Sequence, residues 1–160
     1  MRGGRMGKVI SREELKPELE RVRVQRPGLK VVFTNGCFDI IHAGHVRYLR
    51  EAKRLGDLLV VGVNTDNSVS RIKPGRPVNG ENERAEVLAS LEMVDYAVLF
   101  PEETPYELIK FIGPQVLVKG GDWKKEDIAG SDIVPVTLSL PYENGFSTTG
   151  IIKKIRSFPA

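Results

Sequence analysis

Lys30-Val31-Val32-Phe33-Thr34-Asn35-Gly36-Cys37-Phe38-Asp39-Ile40-Ile41-His42-Ala43-Gly44-His45 is the stretch on which the fold turns. Its first part, Lys30 to Asn35, is apolar and β-branched and predicts a buried strand. From Ala43 to Leu55, Val46, Leu49, Ala52 and Leu55 fall on one stripe, the spacing of an amphipathic helix, and Gly56 stands where a C-cap is expected. Asp57 to Asn64 (DLLVVGVN) is a continuous apolar run, as in a parallel strand covered on both faces. Strand, helix and strand in that order predict a right-handed parallel crossover.

Working outward, Ser11 with Glu14 forms a capping-box pattern that opens a helix over Glu13 to Val24, and Pro27-Gly28 ends it. Residues 1–10 read as a loose tail. On the other side lie a polar loop, Arg71 to Gly80 (RIKPGRPVNG), and a helix over Glu81 to Leu91. A strand at Tyr96 to Phe100, a helix at Pro105 to Ile112 and a strand at Gln115 to Val118 follow. Val134 to Leu140 predicts the last strand and Thr149 to Ile155 a terminal helix. Trp123 to Asp132 is a short connection of undecided form. The expected class is α/β, a Rossmann-like open parallel sheet of about five strands with helices on both faces. Residues 1–28 would be a tail and short helix, and 29–160 a single domain.

Composition is that of an ordinary soluble domain: 160 residues, 41% hydrophobic and 28% charged. The longest apolar runs, such as Leu58 to Val63, are far too short to cross a bilayer. Net charge is +3, which suits an anionic small ligand as well as a mildly basic surface. Lys and Arg do not gather into one block with interleaved aromatics, so a nucleic-acid partner has no support. The single Cys37 rules out an intrachain disulfide. Met1 to Lys8 has no apolar segment behind it and does not read as a secretion signal, so the expected location is the cytoplasm.

The Asn35–His45 loop joins a strand's carboxyl end to a helix N-terminus. Ligands of open α/β sheets bind at the first, and phosphates at the second. Gly36 and Gly44 permit close backbone approach. His42 and His45, the two histidines of the chain, stand three apart on neighbouring helix positions. Two imidazoles there can donate hydrogen bonds to phosphate oxygens as charge builds in a transition state. The pair alone is equally compatible with a solvated helix start. Zinc lacks clustered third and fourth ligands. Neither GxxxxGKS/T nor GxGxxG occurs, which argues against P-loop kinases and dinucleotide-binding dehydrogenases.

GCFDIIHAGH resembles the HxGH motif of the cytidylyltransferase-like nucleotidyltransferases, and the resemblance runs over residues 30–156. Four further segments carry it: Val63 to Asp66; RIKPGRPVN with Glu83-Arg84 behind it; Val118 to Trp123; and Gly145 to Ile152. LVKGGD at 117–122 and STTGIIKKI at 147–155 are most similar to the adenylyltransferase domains of ADP-heptose synthases. Such domains are often fused behind a sugar kinase; these 160 residues hold no kinase domain and so resemble the stand-alone form.

The resemblance implies transfer of AMP from ATP to D-glycero-β-D-manno-heptose 1-phosphate, with pyrophosphate released. It implies catalytic roles for His42, His45 and Lys73. Nucleotide contacts would come from Asn35, Gly36, Cys37, Phe38, Gly44, Arg76, Lys119, Gly120, Gly121, Asp122, Ser147, Thr148 and Thr149, besides the histidines. Asp39, Lys73 and Arg84 would meet the substrate. Structural roles stand beside these: Asp39 bonding backbone N–H groups of its loop, Arg84 pairing with an acid, Ser147 capping its helix. Mg²⁺ would arrive with the triphosphate rather than in a protein cage, and the family tendency is a homodimer. CTP-using relatives, such as glycerol-3-phosphate cytidylyltransferases and phosphoethanolamine enzymes, often carry an arginine in an RTxGISTT pattern. Leu140 to Phe146 has none, which favours ATP. A non-catalytic nucleotide-binding module that keeps the fold is the alternative of another class.

Overall fold

The computed structural model describes residues 7–141 and 145–159. Its elements in chain order are β1 (Lys8–Val9), α1 (Arg12–Gln25), β2 (Val31–Gly36), α2 (Ala43–Lys53), β3 (Leu58–Asn64), α3 (Asp66–Ile72), α4 (Glu81–Ala89), β4 (Tyr96–Phe100), α5 (Tyr106–Ile112), β5 (Val116–Gly120), a 3₁₀ turn (Lys125–Asp127), β6 (Val136–Leu140) and α6 (Thr148–Arg156). The strands form one open parallel sheet in the order β1-β4-β3-β2-β5-β6. Successive strands move outward from β2 in one direction through β3 and β4, then in the other through β5 and β6. The order therefore reverses beside β2, and ligands of such sheets bind in the crevice at that point.

β2 alternates its side chains between two cores. Val31 and Phe33 join Leu15 and Leu19 of α1 and Leu108 and Ile109 of α5 on one face. Val32 joins Leu49 and Ala52 of α2 and Ala85 and Leu88 of α4 on the other. All seven residues of β3 are buried, as the unbroken apolar run requires. Each fully buried Leu such as Leu49 contributes roughly 2 kcal/mol of transfer free energy.

Ser11 and Glu14 form the capping box expected at the start of α1. The structure corrects the sequence reading at three places and settles a fourth. Lys8 and Val9, expected in a loose tail, form a sixth strand on β4, with Lys8 N–H donating to Asp95 O and Ile10 N–H to Ala97 O; residues 1–6 of that tail lie outside the described residues. Gly56 does not cap α2; a Cβ there would sit 2.8 Å from Lys30 O and 2.7 Å from Val32 Cγ2, so its smallness serves a close approach to β2. Asp66–Ile72, of which the sequence reading assigns only Arg71 and Ile72, to the polar loop, is a helix whose N-cap Thr65 accepts from Ser68 N–H. The undecided 123–132 segment holds only the 3₁₀ turn.

Candidate active site

A cavity of about 700 Å³ opens at the carboxyl ends of the strands. Its floor is the β2–α2 connection. Phe38 has φ +47°, a left-handed conformation that costs a non-glycine residue on the order of 1 kcal/mol or more. Its ring packs edge-on against His45 with centroids 5.4 Å apart, and Gly36 leaves it room, since a Cβ there would lie 3.0 Å from the ring.

His42 is the N-cap of α2, with extended backbone (φ −139°). It is therefore just outside the helix rather than on its face, as the spacing alone implied. The His45 ring turns back over it. The two imidazoles stack with centroids 3.8 Å apart at 25°, and His45 Nδ1 accepts the His42 backbone N–H at 3.4 Å. That acceptance assigns the proton of the neutral His45 ring to Nε2. Burial, then the charges of His42 and Lys73, push His45 down to about 4; burial lowers His42 as well. His42 Nδ1 is buried with no hydrogen-bond partner among the described residues. Gly44 does not line the cavity. A Cβ on it would meet Phe146 at 2.9 Å and the His42 ring at 3.1 Å, so it leaves space for both over the first turn.

One wall is a network built on Asp39 and Arg84. Asp39 accepts from Val78 N–H (2.8 Å), Asn79 N–H (3.0 Å) and Arg76 Nη1 (2.7 Å). Burial alone would raise its pKa, but these donors hold the carboxyl below the usual range. Asp39 and Arg76 line the cavity while paired with each other. Arg84 does not line it. It is 1% exposed, and its guanidinium donates to the carbonyls of Cys37, Asn64 and Asn79 and to Asp66 Oδ1. Arg84 pairs with an acid, as one of the two expectations had it, and ties the ends of β2 and β3 to the 76–80 loop.

The other wall comes from β5, β6 and α6. Lys119 and Gly120 line the cavity; Gly121 and Asp122 do not. Gly121 has φ +110° and donates its N–H to Leu140 O, turning the chain away. Burial is the main cause lowering Lys119, with Cys37 opposing it and Lys73 adding to it. Ser147, Thr148 and Thr149 line the cavity at the N-terminus of α6. Ser147 Oγ accepts from Gly150 N–H as an N-cap, and Thr148 Oγ1 donates to Ile40 O at 3.2 Å, joining α6 to the floor. Tyr142, Glu143 and Asn144, where the arginine of CTP-using relatives is missing, lie outside the described residues. Asn35, Cys37 and Lys73 also line the cavity.

Several lining residues carried no expected role, Tyr48, Asn64 and Trp123 among them. Tyr48 bridges the hydroxyl of Thr34 (2.5 Å) and Val118 O (3.2 Å), locking α2 to β2 and β5. Asn64 ends β3 at the strand edge where ligands bind, a position that could have marked it. Trp123 follows the expected KGGD segment directly.

Residues 33–154 match the model of the family described as cytidylyltransferase-like. The chain belongs to this family of nucleotidyltransferases. It is 53% identical over 141 residues to the bifunctional protein HldE of a Nitratiruptor species, covering 88% of this chain and 30% of that protein. Against the bifunctional protein HldE of Campylobacter jejuni subsp. jejuni serotype O:2 it is 51% identical over 150 residues, covering 93% and 32%. The chain thus spans about a third of the length of these relatives. The crystal structure of the lipopolysaccharide core biosynthesis protein from Thermoplasma volcanium GSS1 superposes with a TM-score of 0.64 at 32% identity, covering 73% of this chain and all of that one. Among the described residues no helix is long and apolar enough to cross a membrane.

Proposed function

We propose that this chain is a sugar 1-phosphate adenylyltransferase that joins the AMP of ATP to D-glycero-β-D-manno-heptose 1-phosphate, giving ADP-heptose and pyrophosphate. One observation carries the reading: two face-to-face imidazoles share the cavity with Lys73 and Lys119, and the charge of Lys73 adds to burial in lowering both His45 and Lys119. A polyanion favours the protonated form of each such group, and a triphosphate beside a sugar phosphate is one. The HldE relatives and the lipopolysaccharide core biosynthesis neighbour support the heptose as acceptor.

An oxygen of the sugar phosphate attacks the α-phosphorus of ATP in line, and the bond to the β-phosphate bridging oxygen breaks. Both electrons of that bond leave with pyrophosphate, so no covalent enzyme intermediate is needed. Catalysis is then positioning and charge stabilisation. His45 donates from Nε2 and His42 from the same helix mouth, while Lys73, Lys119 and the free N–H groups of α6 meet the remaining oxygens. The family pairs Mg²⁺ with its triphosphate. Among the described residues no three His, Cys, Asp or Glu side chains converge on a metal position, and Asp39 is held by three donors, so phosphate oxygens and water fit the ion better than this chain does. A homodimer and a cytoplasmic location belong to the same reading. The edge strand β6, which shows Val136 and Leu138 to solvent, is a surface that supports the dimer.

The test is a grid of ATP and CTP against heptose 1-phosphate, glycerol 3-phosphate and phosphoethanolamine, read as pyrophosphate release. ATP with heptose 1-phosphate should turn over fastest. Turnover confined to CTP with glycerol 3-phosphate would replace this reading, and no release from any pair would favour the non-catalytic module.

A further inference from the structure

The nucleotidyltransferase reading leaves the nucleobase without a partner, and the cavity holds an aromatic side chain to which no role has been given. Trp123 lines the cavity directly after β5 and is 48% exposed. The ring is fixed rather than loose. Its Nε1–H donates to Gly120 O at 3.0 Å, and its backbone N–H donates to Ser139 Oγ at 3.1 Å. With the indole N–H occupied, the residue offers a ligand only its π-face.

The surroundings say what kind of ligand. Ile128 and Ala129, from the same loop, and Pro105, at the start of α5, line the cavity too. They belong together in space, because a Cβ on Gly130 would meet the Ile109 side chain of α5 at 2.7 Å. Glu103, Thr104 and Asp127 line the cavity as well, and the apolar groups beside a fixed aromatic face suit a flat heterocycle better than a ring of hydroxyls. Lys119 Nζ sits 5.7 Å from the centroid of the Trp123 ring. A cation on a π-system draws electron density from it. That weakens the attraction for sugar C–H groups, which seek an electron-rich face, and favours an electron-rich base.

We propose that Trp123 is the stacking platform for the nucleobase, and that it helps set the preference for a purine over a pyrimidine triphosphate. This rests on the nucleotidyltransferase reading and adds to it a specificity residue. Base–aromatic stacking changes affinity on the order of 10- to 100-fold, and the larger purine gains more from it.

The chain has one tryptophan, so its intrinsic fluorescence reports this position alone. Titration of the intact chain with ATP should quench or shift that emission, and heptose 1-phosphate alone should not. Trp123→Ala should raise KM for ATP about 10-fold or more, with the loss falling on KM rather than kcat and the ATP-over-CTP ratio reduced. Trp123→Phe, which keeps a π-face, should restore most of the affinity and guards against misfolding of the alanine variant. The inference is overturned if ATP binds by equilibrium dialysis with no change in emission and unchanged KM in Trp123→Ala; the adenylyltransferase reading then survives. A response to the sugar phosphate and not to ATP also overturns it, by moving Trp123 to the acceptor side. No ATP binding at all by dialysis would take down the enzyme reading and this inference with it.

Discussion

The two walls of the cavity are built differently. Behind β2 and β3, Asp39, Arg76, Asn79 and Arg84 form a closed network in which every charge has protein partners. Behind β5 and β6, α6 buries none of its residues, and Ile155, with Phe158 just past its end, is exposed; Thr148 anchors its start to Ile40 O. The first wall is shaped before any ligand arrives. The second keeps donors available, which is where a triphosphate can still add binding free energy. On the proposed reading, rigidity and recognition are divided between the halves of one crevice.

The largest effect that would break this contrast is at Arg84. Arg84→Ala leaves three carbonyls without a charged donor, and roughly 3 kcal/mol of stability should be lost in urea unfolding. Arg84→Lys should recover only part, because an ammonium cannot reproduce the fork. Wild-type stability in Arg84→Ala would mean that the first wall is not held by this network. Next comes His45→Ala, which removes an oriented donor. Turnover should fall by about 100-fold or more, with far-UV circular dichroism unchanged; near-normal turnover would reject the assigned role. Smallest is Ser147→Ala, which removes only the cap of α6 and should cost about 1 kcal/mol or less. A loss as large as that of Arg84→Ala would erase the difference between the walls.

Much of this was legible in the chain. Period and turn residues located the crossover from β2 to β3, and the HxGH segment located the floor of the site. The parts that escaped share a cause. Lys8–Val9 is too short to carry a periodicity, and its partner strand β4 is remote in the chain. Asp66–Ile72 buries only Ser68 and Val69, too few to show a stripe, although Thr65 before Asp66 was a readable cap. Arg84 looked like a ligand-binding arginine because its partners, from Cys37 to Asn79, meet only through tertiary folding. The spacing of His42 and His45 promised proximity, but the stacked geometry depends on His42 being a cap outside the helix.

The central claim is that the stacked imidazoles receive the triphosphate. Since the chain has only these two histidines, their ring protons can be followed by NMR across pH with and without ATP. Both are lowered in the free protein, His45 to about 4. The folded form therefore resists protons that the unfolded chain takes up near 6.5, and stability should fall as pH drops from about 6.5 toward 4. Bound ATP should shift both histidine signals and raise both midpoints, because phosphate charge favours the imidazolium. Saturation with ATP that leaves both rings titrating as in the free protein would contradict the account.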